Sequence, residues 1–214
     1  MGARGELAPL APLASVLYRI PRPNSPEVPM VTVGSLWIAI IVAAALVFIA
    51  SSVVWMAMPW HKKDWKGLPD EEAARRAIGG GLAPGQYMVP HVVTRSMLKE
   101  PAYQKKIEEG PVVFMTVIPR GMRGMGRNMT IWFFYCLAVG GMVAYVTTRT
   151  LQPGAQYLTV FRLAGTVSWL AFGWSTFAES IWFGRPWSNT FKQLFDSLIY
   201  ASLTAGAFAS QWPR

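Results

Sequence analysis

One cysteine and two histidines in 214 residues exclude several classes of chemistry. Cys136 has no partner for an intrachain disulfide, so cysteine usage carries no message about redox compartment. His61 and His91, even with Asp64 nearby, are too few ligands for a zinc centre, and no HExxH segment exists. Neither histidine falls in an apolar run, so a haem held between membrane helices would lack an axial ligand. A Cys–His nucleophilic pair would have to join Cys136, inside an apolar run, to a loop histidine, and GxSxG is missing. No cofactor or metal is therefore expected. Charge is also scarce: 14% of residues are Asp, Glu, Lys or Arg, where a soluble domain carries about a quarter. Acidic residues are the scarcest, 11 against 20 basic, which leaves a net charge of +9.

Apolar and aromatic residues take their place. The chain is 52% hydrophobic and 13% aromatic, with ten tryptophans. A disordered chain would be poorer in such residues. Trp and Tyr gather where a protein surface meets the boundary of water and lipid, so an integral membrane protein is the expected class. In a soluble protein +9 would suggest nucleic acid, but no nucleic-acid-binding signature is present and no nucleic acid partner is expected. In a membrane protein the same excess records orientation.

Four apolar runs follow one another. The first, Ser35–Pro59, has no charge, and its 25 residues would extend about 37 Å as helix, more than the hydrocarbon core of about 30 Å. Trp37 stands near one end and Trp55 and Trp60 near the other, as interfacial anchors do. The second is Met129–Thr147, in which Cys136, Gly140 and Ala144 recur every fourth residue and place small groups on one face. The third, Tyr157–Phe183, holds only Arg162 and Glu179 as charges. The fourth, Phe191–Trp212, carries Lys192 and Asp196 early and then a small-residue ridge of Ser197, Ala201, Ala205 and Ala209. Gly140, Ala144, Ala201 and Ala205 are the expected points of close helix packing.

The expected fold is all-α and membranous: a four-transmembrane-helix bundle with a small cytoplasmic α/β cap in the loop between helices 1 and 2. The chain divides into a flexible N-terminal arm (1–30, with Met30 as an alternative start), a first membrane helix (31–60), the cap (61–128) and the remaining three membrane helices (129–214). Within the cap, Asp70–Ile78 reads as a capped helix and Pro101–Glu109 as a second, while Gln86–Thr94 and Val112–Ile118 read as extended segments. The loop from His61 to Asn128 holds twelve Lys/Arg against seven Asp/Glu, and Arg185 and Lys192 fall on the same side of a four-span chain. By the positive-inside rule this side is cytoplasmic, which puts both termini outside the cytoplasm. Arg120, Arg123 and Arg127, just before the second span, are expected to meet anionic lipid headgroups.

Ionisable residues inside a span are functional candidates by default. Glu179, Arg185, Lys192 and Asp196 are expected to form one cluster near the cytoplasmic edge, read either as structural ion pairs or as a cation or proton path. Arg162 lies too far along its helix to neutralise Glu179 and is expected to snorkel outward. Ser168, Ser175 and Glu179 form a possible polar seam, against which stands ordinary bonding of Ser and Thr back to their own helix.

Four segments carry a further likeness: WIAIIVAAALVFIASSVVWMAMPWHKKDWKGLPDEE, GQYMVPH, GPVVFMTVIP and SIWFGRPWSNTFKQLFDSLIYASLTAGAF. Over about residues 30–214 the chain resembles a family of small four-helix bacterial inner-membrane proteins to which no activity is attached. The resemblance implies a bacterial cytoplasmic-membrane setting and transfers no catalytic residue. Three functions are carried forward. The first is a non-catalytic accessory or assembly subunit of a larger inner-membrane complex, respiratory or photosynthetic in kind, with membrane lipids and other membrane subunits as partners. The second is a small cation or proton transporter using Glu179 and Asp196. The third is a membrane enzyme acting on lipid through His61, Asp64 and His91.

Overall fold

A computed structural model describes residues 30–79, 81–119, 121 and 124–214. Apart from Met30 the expected N-terminal arm lies outside the described residues, as do Arg120 and Arg123 of the basic flank. The chain is mostly helical, with one small two-stranded sheet.

Helix α1 spans Trp37–Met56 and is entered through a short 3-10 turn capped by Thr32, whose hydroxyl accepts from the Ser35 amide at 3.2 Å. Its sequence is apolar on every side, so hydrophobicity alone cannot choose the inward face. Residue size chooses it. Ala39, Ala43, Val47 and Ser51, spaced by four, are buried together with Ala44 and Val54, while Trp37, Ile38, Ile41, Ile49 and Val53 point outward. Small side chains let neighbouring backbones approach and gain dispersion contacts. Pro59 follows closely and has no amide hydrogen to extend the helix.

Helices α2 (Glu71–Gly79) and α3 (Pro101–Glu109) and strands β1 (Gly85–Val89) and β2 (Val113–Val117) build the segment that follows. Asp70 caps α2 by accepting from the Ala73 amide at 2.8 Å. The strands pair antiparallel, Gly85 opposite Val117 and Val89 opposite Val113, with α3 in the connection between them. β1 stops four residues past its first, short of the expected Thr94, because Pro90 brings no N–H to the ladder. Tyr103 of α3 is buried and its hydroxyl reaches the Pro90 carbonyl at 3.3 Å. Phe114 of β2 meets Phe183 edge-on, with ring centres 5.7 Å apart, so the sheet leans on the helices.

Four helices complete the chain: α4 (Met125–Thr150), α5 (Tyr157–Gly173), α6 (Thr176–Phe183) and α7 (Trp187–Ser210). The third apolar run is thus two helices and not one. The chain breaks at Trp174 and Ser175, directly after Gly173, and Thr176 donates its hydroxyl to the Gly173 carbonyl at 2.8 Å. A Gly–Ser neighbourhood with a side chain bonded into the freed backbone is an ordinary cause of such a break. α7 begins a full turn earlier than its apolar run, at Trp187, directly after Pro186 at the N-cap. Helix α7 is central, packing along α5 and against α1, while α4 lies on α1 and touches α5.

Glycine and alanine set these spacings. Gly140 of α4 faces Ile40 of α1 so closely that an added Cβ would lie 3.2 Å from Ile40 Cγ2. Gly165 of α5 stands in the same relation to the Ala205 Cβ of α7, at 3.3 Å. Ala144, Ala201 and Ala205 are all buried. Polar bonds then fix the helices laterally: Trp132 Nε1 donates to Ser51 Oγ at 2.8 Å, Tyr135 Oη to the Ala171 carbonyl at 2.8 Å, and Trp169 Nε1 to the Leu194 carbonyl at 3.3 Å. The end of the chain is tied back as Trp212 Nε1 donates to the Gln152 carbonyl and Gly154 N–H to the Pro213 carbonyl, at 3.0 and 2.8 Å.

Candidate functional site

Past α1, the backbone folds into a tight turn in which the Lys62 amide bonds to the Pro59 carbonyl and the Asp64 amide to the His61 carbonyl, both at 3.1 Å. This turn brings His61 and Asp64 to one side, with Nδ1 2.7 Å from Asp64 Oδ2. Helix α7 supplies the other half. Lys192 and Asp196 are four residues apart and share a helix face. His61 Nε2 lies 2.8 Å from Asp196 Oδ2, and Lys192 Nζ donates to Asp64 Oδ1 at 2.5 Å and to the Trp60 carbonyl at 2.6 Å. The side chains of His61, Asp64 and Asp196 are 5%, 6% and 1% exposed, whereas Lys192 keeps about a third of its surface open (31%).

Two carboxylates, an ammonium and an imidazole therefore share one enclosed volume. Both imidazole nitrogens lie within hydrogen-bond distance of carboxylate oxygens, Nδ1 of Asp64 and Nε2 of Asp196. Each buried carboxyl group therefore has at least one hydrogen-bond partner, as burial demands of polar groups. Trp55 stacks flat on the His61 ring, with centres 4.1 Å apart and planes 5° from parallel, and Trp60 meets it edge-on. Burial pushes the Asp64 carboxyl up, but its hydrogen bonds to Lys192 and His61 outweigh that and hold it below the ordinary value of 3.8. The imidazole stands between the two carboxylates with both nitrogens taken, so the donors do not converge as metal ligands, and no group of three metal-ligating side chains is found among the described residues.

Sequence reasoning grouped Glu179, Arg185, Lys192 and Asp196, and the structure divides them. Lys192 and Asp196 enter the cluster, but Lys192 pairs with Asp64 and not with Asp196. Glu179 lies exposed on α6, where its backbone carbonyl accepts the Gly184 amide and, at 3.3 Å, the Arg185 amide at the helix end. No side-chain ion pair joins Glu179 or Arg185 to anything among the described residues. The physical reason is the break at Trp174–Ser175, which sets α6 apart from α5, and the early start of α7, which carries Asp196 about 14 Å along its helix. Arg162 and Arg127 are exposed, and His91 lies exposed away from His61 and Asp64. Of the polar seam, Ser168 is buried and donates back to the Ala164 carbonyl at 2.6 Å, whereas Ser175 and Glu179 are exposed. The members missing from that charge group are His61 and Asp64, which sequence reasoning placed with His91 instead; His61 lies 135 residues from Asp196. Its signal was present as a His-x-x-Asp spacing directly after the first apolar run.

Beside the cluster, a cavity of about 380 Å³ opens among α1, α4, α5 and α7. Phe48, Trp55, Met56, Trp132 and Phe172 wall it with apolar surface, and Asp196 and Tyr200 face it from α7. Asp196 Oδ1 and Tyr200 Oη are buried and have no hydrogen-bond partner.

Fold and site together define a mostly helical protein with two helices, Val33–Met56 with its entering turn and Met125–Thr150, long and apolar enough to cross a membrane, and with an enclosed His–Asp–Lys cluster beside a cavity. No family model, no curated protein and no solved structure matches the chain.

Proposed function

We propose that the chain is a multi-pass protein of the bacterial inner membrane, crossing it with α1, α4, α5 with α6, and α7, and serving as a non-catalytic accessory or assembly subunit of a larger membrane complex. The observation that supports this is the apolar exterior. Ile49, Phe134, Leu158, Trp182 and Phe191 are each more than half exposed, on five different helices. A protein surrounded by water rarely shows contiguous apolar surface on such a scale, because each Å² left in water forgoes about 25 cal/mol. Lipid tails and neighbouring subunits cover such a surface at no cost. The inward face carries the small residues and the outward face the large ones, the arrangement that dispersion-driven packing in lipid favours.

Membrane lipids and other membrane subunits are the partners this reading requires. Purification at native expression in a mild detergent, followed by native mass measurement and identification of co-purifying chains, tests it. A reproducible membrane partner is the expected result, and a lone monomer from the membrane fraction would refute the subunit role. Recovery in the soluble fraction would refute the membrane reading itself. The transporter reading receives less support, because Glu179 faces outward while Asp196 is enclosed by His61.

A further inference from the structure

The cavity beside the cluster contains a polar demand that the chain itself leaves unmet. Asp196 is 1% exposed and Tyr200 5%, and one carboxylate oxygen of the first and the hydroxyl of the second lack partners. The two residues are four apart on α7 and share its face, so their free groups are neighbours on one wall. They do not bond to each other, so each can take a partner from the cavity. Leaving a buried polar group unsatisfied is costly, and here two stand together.

We propose that this cavity is a binding site for a small neutral lipophile bearing an aromatic hydroxyl, of phenol or hydroquinol type. Its O–H donates to Asp196 Oδ1 and its oxygen accepts from Tyr200 Oη. Three observations select that class. First, one hydroxyl is both donor and acceptor and satisfies both free groups at a single point. Second, most of the remaining surface is apolar or aromatic, from Phe48, Trp55, Trp132 and Phe172, and suits a ring, although Ser51, Ser52, Asn128 and Gln193 also border the space. Third, Asp196 is already bonded to His61 and Asp64 to the Lys192 ammonium, so a cationic ligand would bring a second positive charge to a buried site and a neutral one does not. A volume of about 380 Å³ lies at the small end of ligand pockets and admits a single substituted ring. This inference uses the cavity alone and does not depend on the subunit reading above.

The test uses the full chain in lipid nanodiscs and two probes of nearly equal shape, pentamethylphenol and hexamethylbenzene, which differ by a hydroxyl in place of a methyl. Equilibrium binding is measured over empty nanodiscs to subtract partition into lipid. A hydrogen bond to a charged acceptor contributes about 1.5–3 kcal/mol, so pentamethylphenol is expected to bind at least about tenfold more tightly. Because Asp196→Asn would also disturb His61, Tyr200→Phe is the decisive variant. It removes one hydroxyl and keeps the ring, so its melting temperature should stay close to that of the natural chain, while its preference for the phenol falls about fivefold. Equal binding of the two probes would overturn the proposal and mark the space as a general apolar void with water between Asp196 and Tyr200. An undiminished preference in Tyr200→Phe would overturn it as well, as would no binding of either probe above empty nanodiscs.

Discussion

The α5–α7 seam makes a demanding prediction at Gly173. A Cβ built at that position would overlap Ser197 Oγ, lie 2.8 Å from Ser197 Cβ and 3.4 Å from Leu194 Cδ2. Rotating the serine relieves only the first of these contacts, since its Cβ is fixed by the α7 backbone. Carbon atoms settle at about 3.5–4.0 Å, so the two backbones would have to part by roughly 1 Å. Forcing an extra methyl into a packed site costs about 1–3 kcal/mol. Alanine recovers up to about 1 kcal/mol of helix propensity, less at a helix end such as this one. Gly173→Ala should therefore destabilise by about 1–2 kcal/mol in net, measured as reversible unfolding in mixed micelles. The cost should fall in a Ser197→Ala background, where Oγ is gone, and vanish in a Ser197→Gly background, where Cβ is gone too. This pattern across a double-mutant cycle isolates the contact from general damage. If Gly173→Ala is as stable as the natural chain, or if its cost is unchanged beside Ser197→Gly, the close approach of α5 and α7 does not exist as described.

The enclosed cluster makes three further predictions, and the topology a fourth. His61→Phe keeps a ring against Trp55 but leaves Asp196 a buried carboxylate without its partner, so a loss of about 3–5 kcal/mol is expected in the same unfolding assay. Lys192→Met should cost less, about 1–3 kcal/mol, because Lys192 is a third exposed and Asp64 retains His61. A folded-state value for Asp64 below 3.8 stabilises the fold in full above that pH and is lost as pH falls through it. The stability gap between the natural chain and Asp64→Asn should accordingly stay level from neutral pH down to about 3.8 and close below it. In a Cys136→Ala background, Arg214→Cys should react with an impermeant maleimide from outside the cytoplasmic membrane and Gln104→Cys, exposed on α3, only after permeabilisation. The reverse pattern would invert the assigned orientation.

Much of the local structure was legible before any tertiary contact was known. Asp70 three residues ahead of Ala73, with acids in the first turn of α2, announces that helix start, and Pro101 and Gly110 bracket α3. Apolar length announces α1 and α4. The third run misled because an unbroken apolar stretch hides a break: Trp174 and Ser175 interrupt the helix without interrupting the hydrophobicity. The site was half legible. Lys192 and Asp196 stand out as charges in an apolar run, yet charge and spacing alone paired them with Glu179 and Arg185, the nearest charges along the chain.

The sequence by itself determined which segments are helical and which are too apolar for water, and where the basic residues congregate, because length, hydropathy and end signals act within a few residues of one another. It also contained the His-x-x-Asp turn complete. Only the tertiary structure decided which charges meet. The turn after α1 and the tenth residue of α7 are distant in sequence, and no local rule brings His61 to Asp196. They meet because small residues on α1 face α7 closely enough for the chain beyond α1 to reach it, and because an aspartate enclosed there requires a donor. The two polar groups left over beside the cavity follow from that same packing, since neither Asp196 Oδ1 nor Tyr200 Oη finds a partner within the bundle.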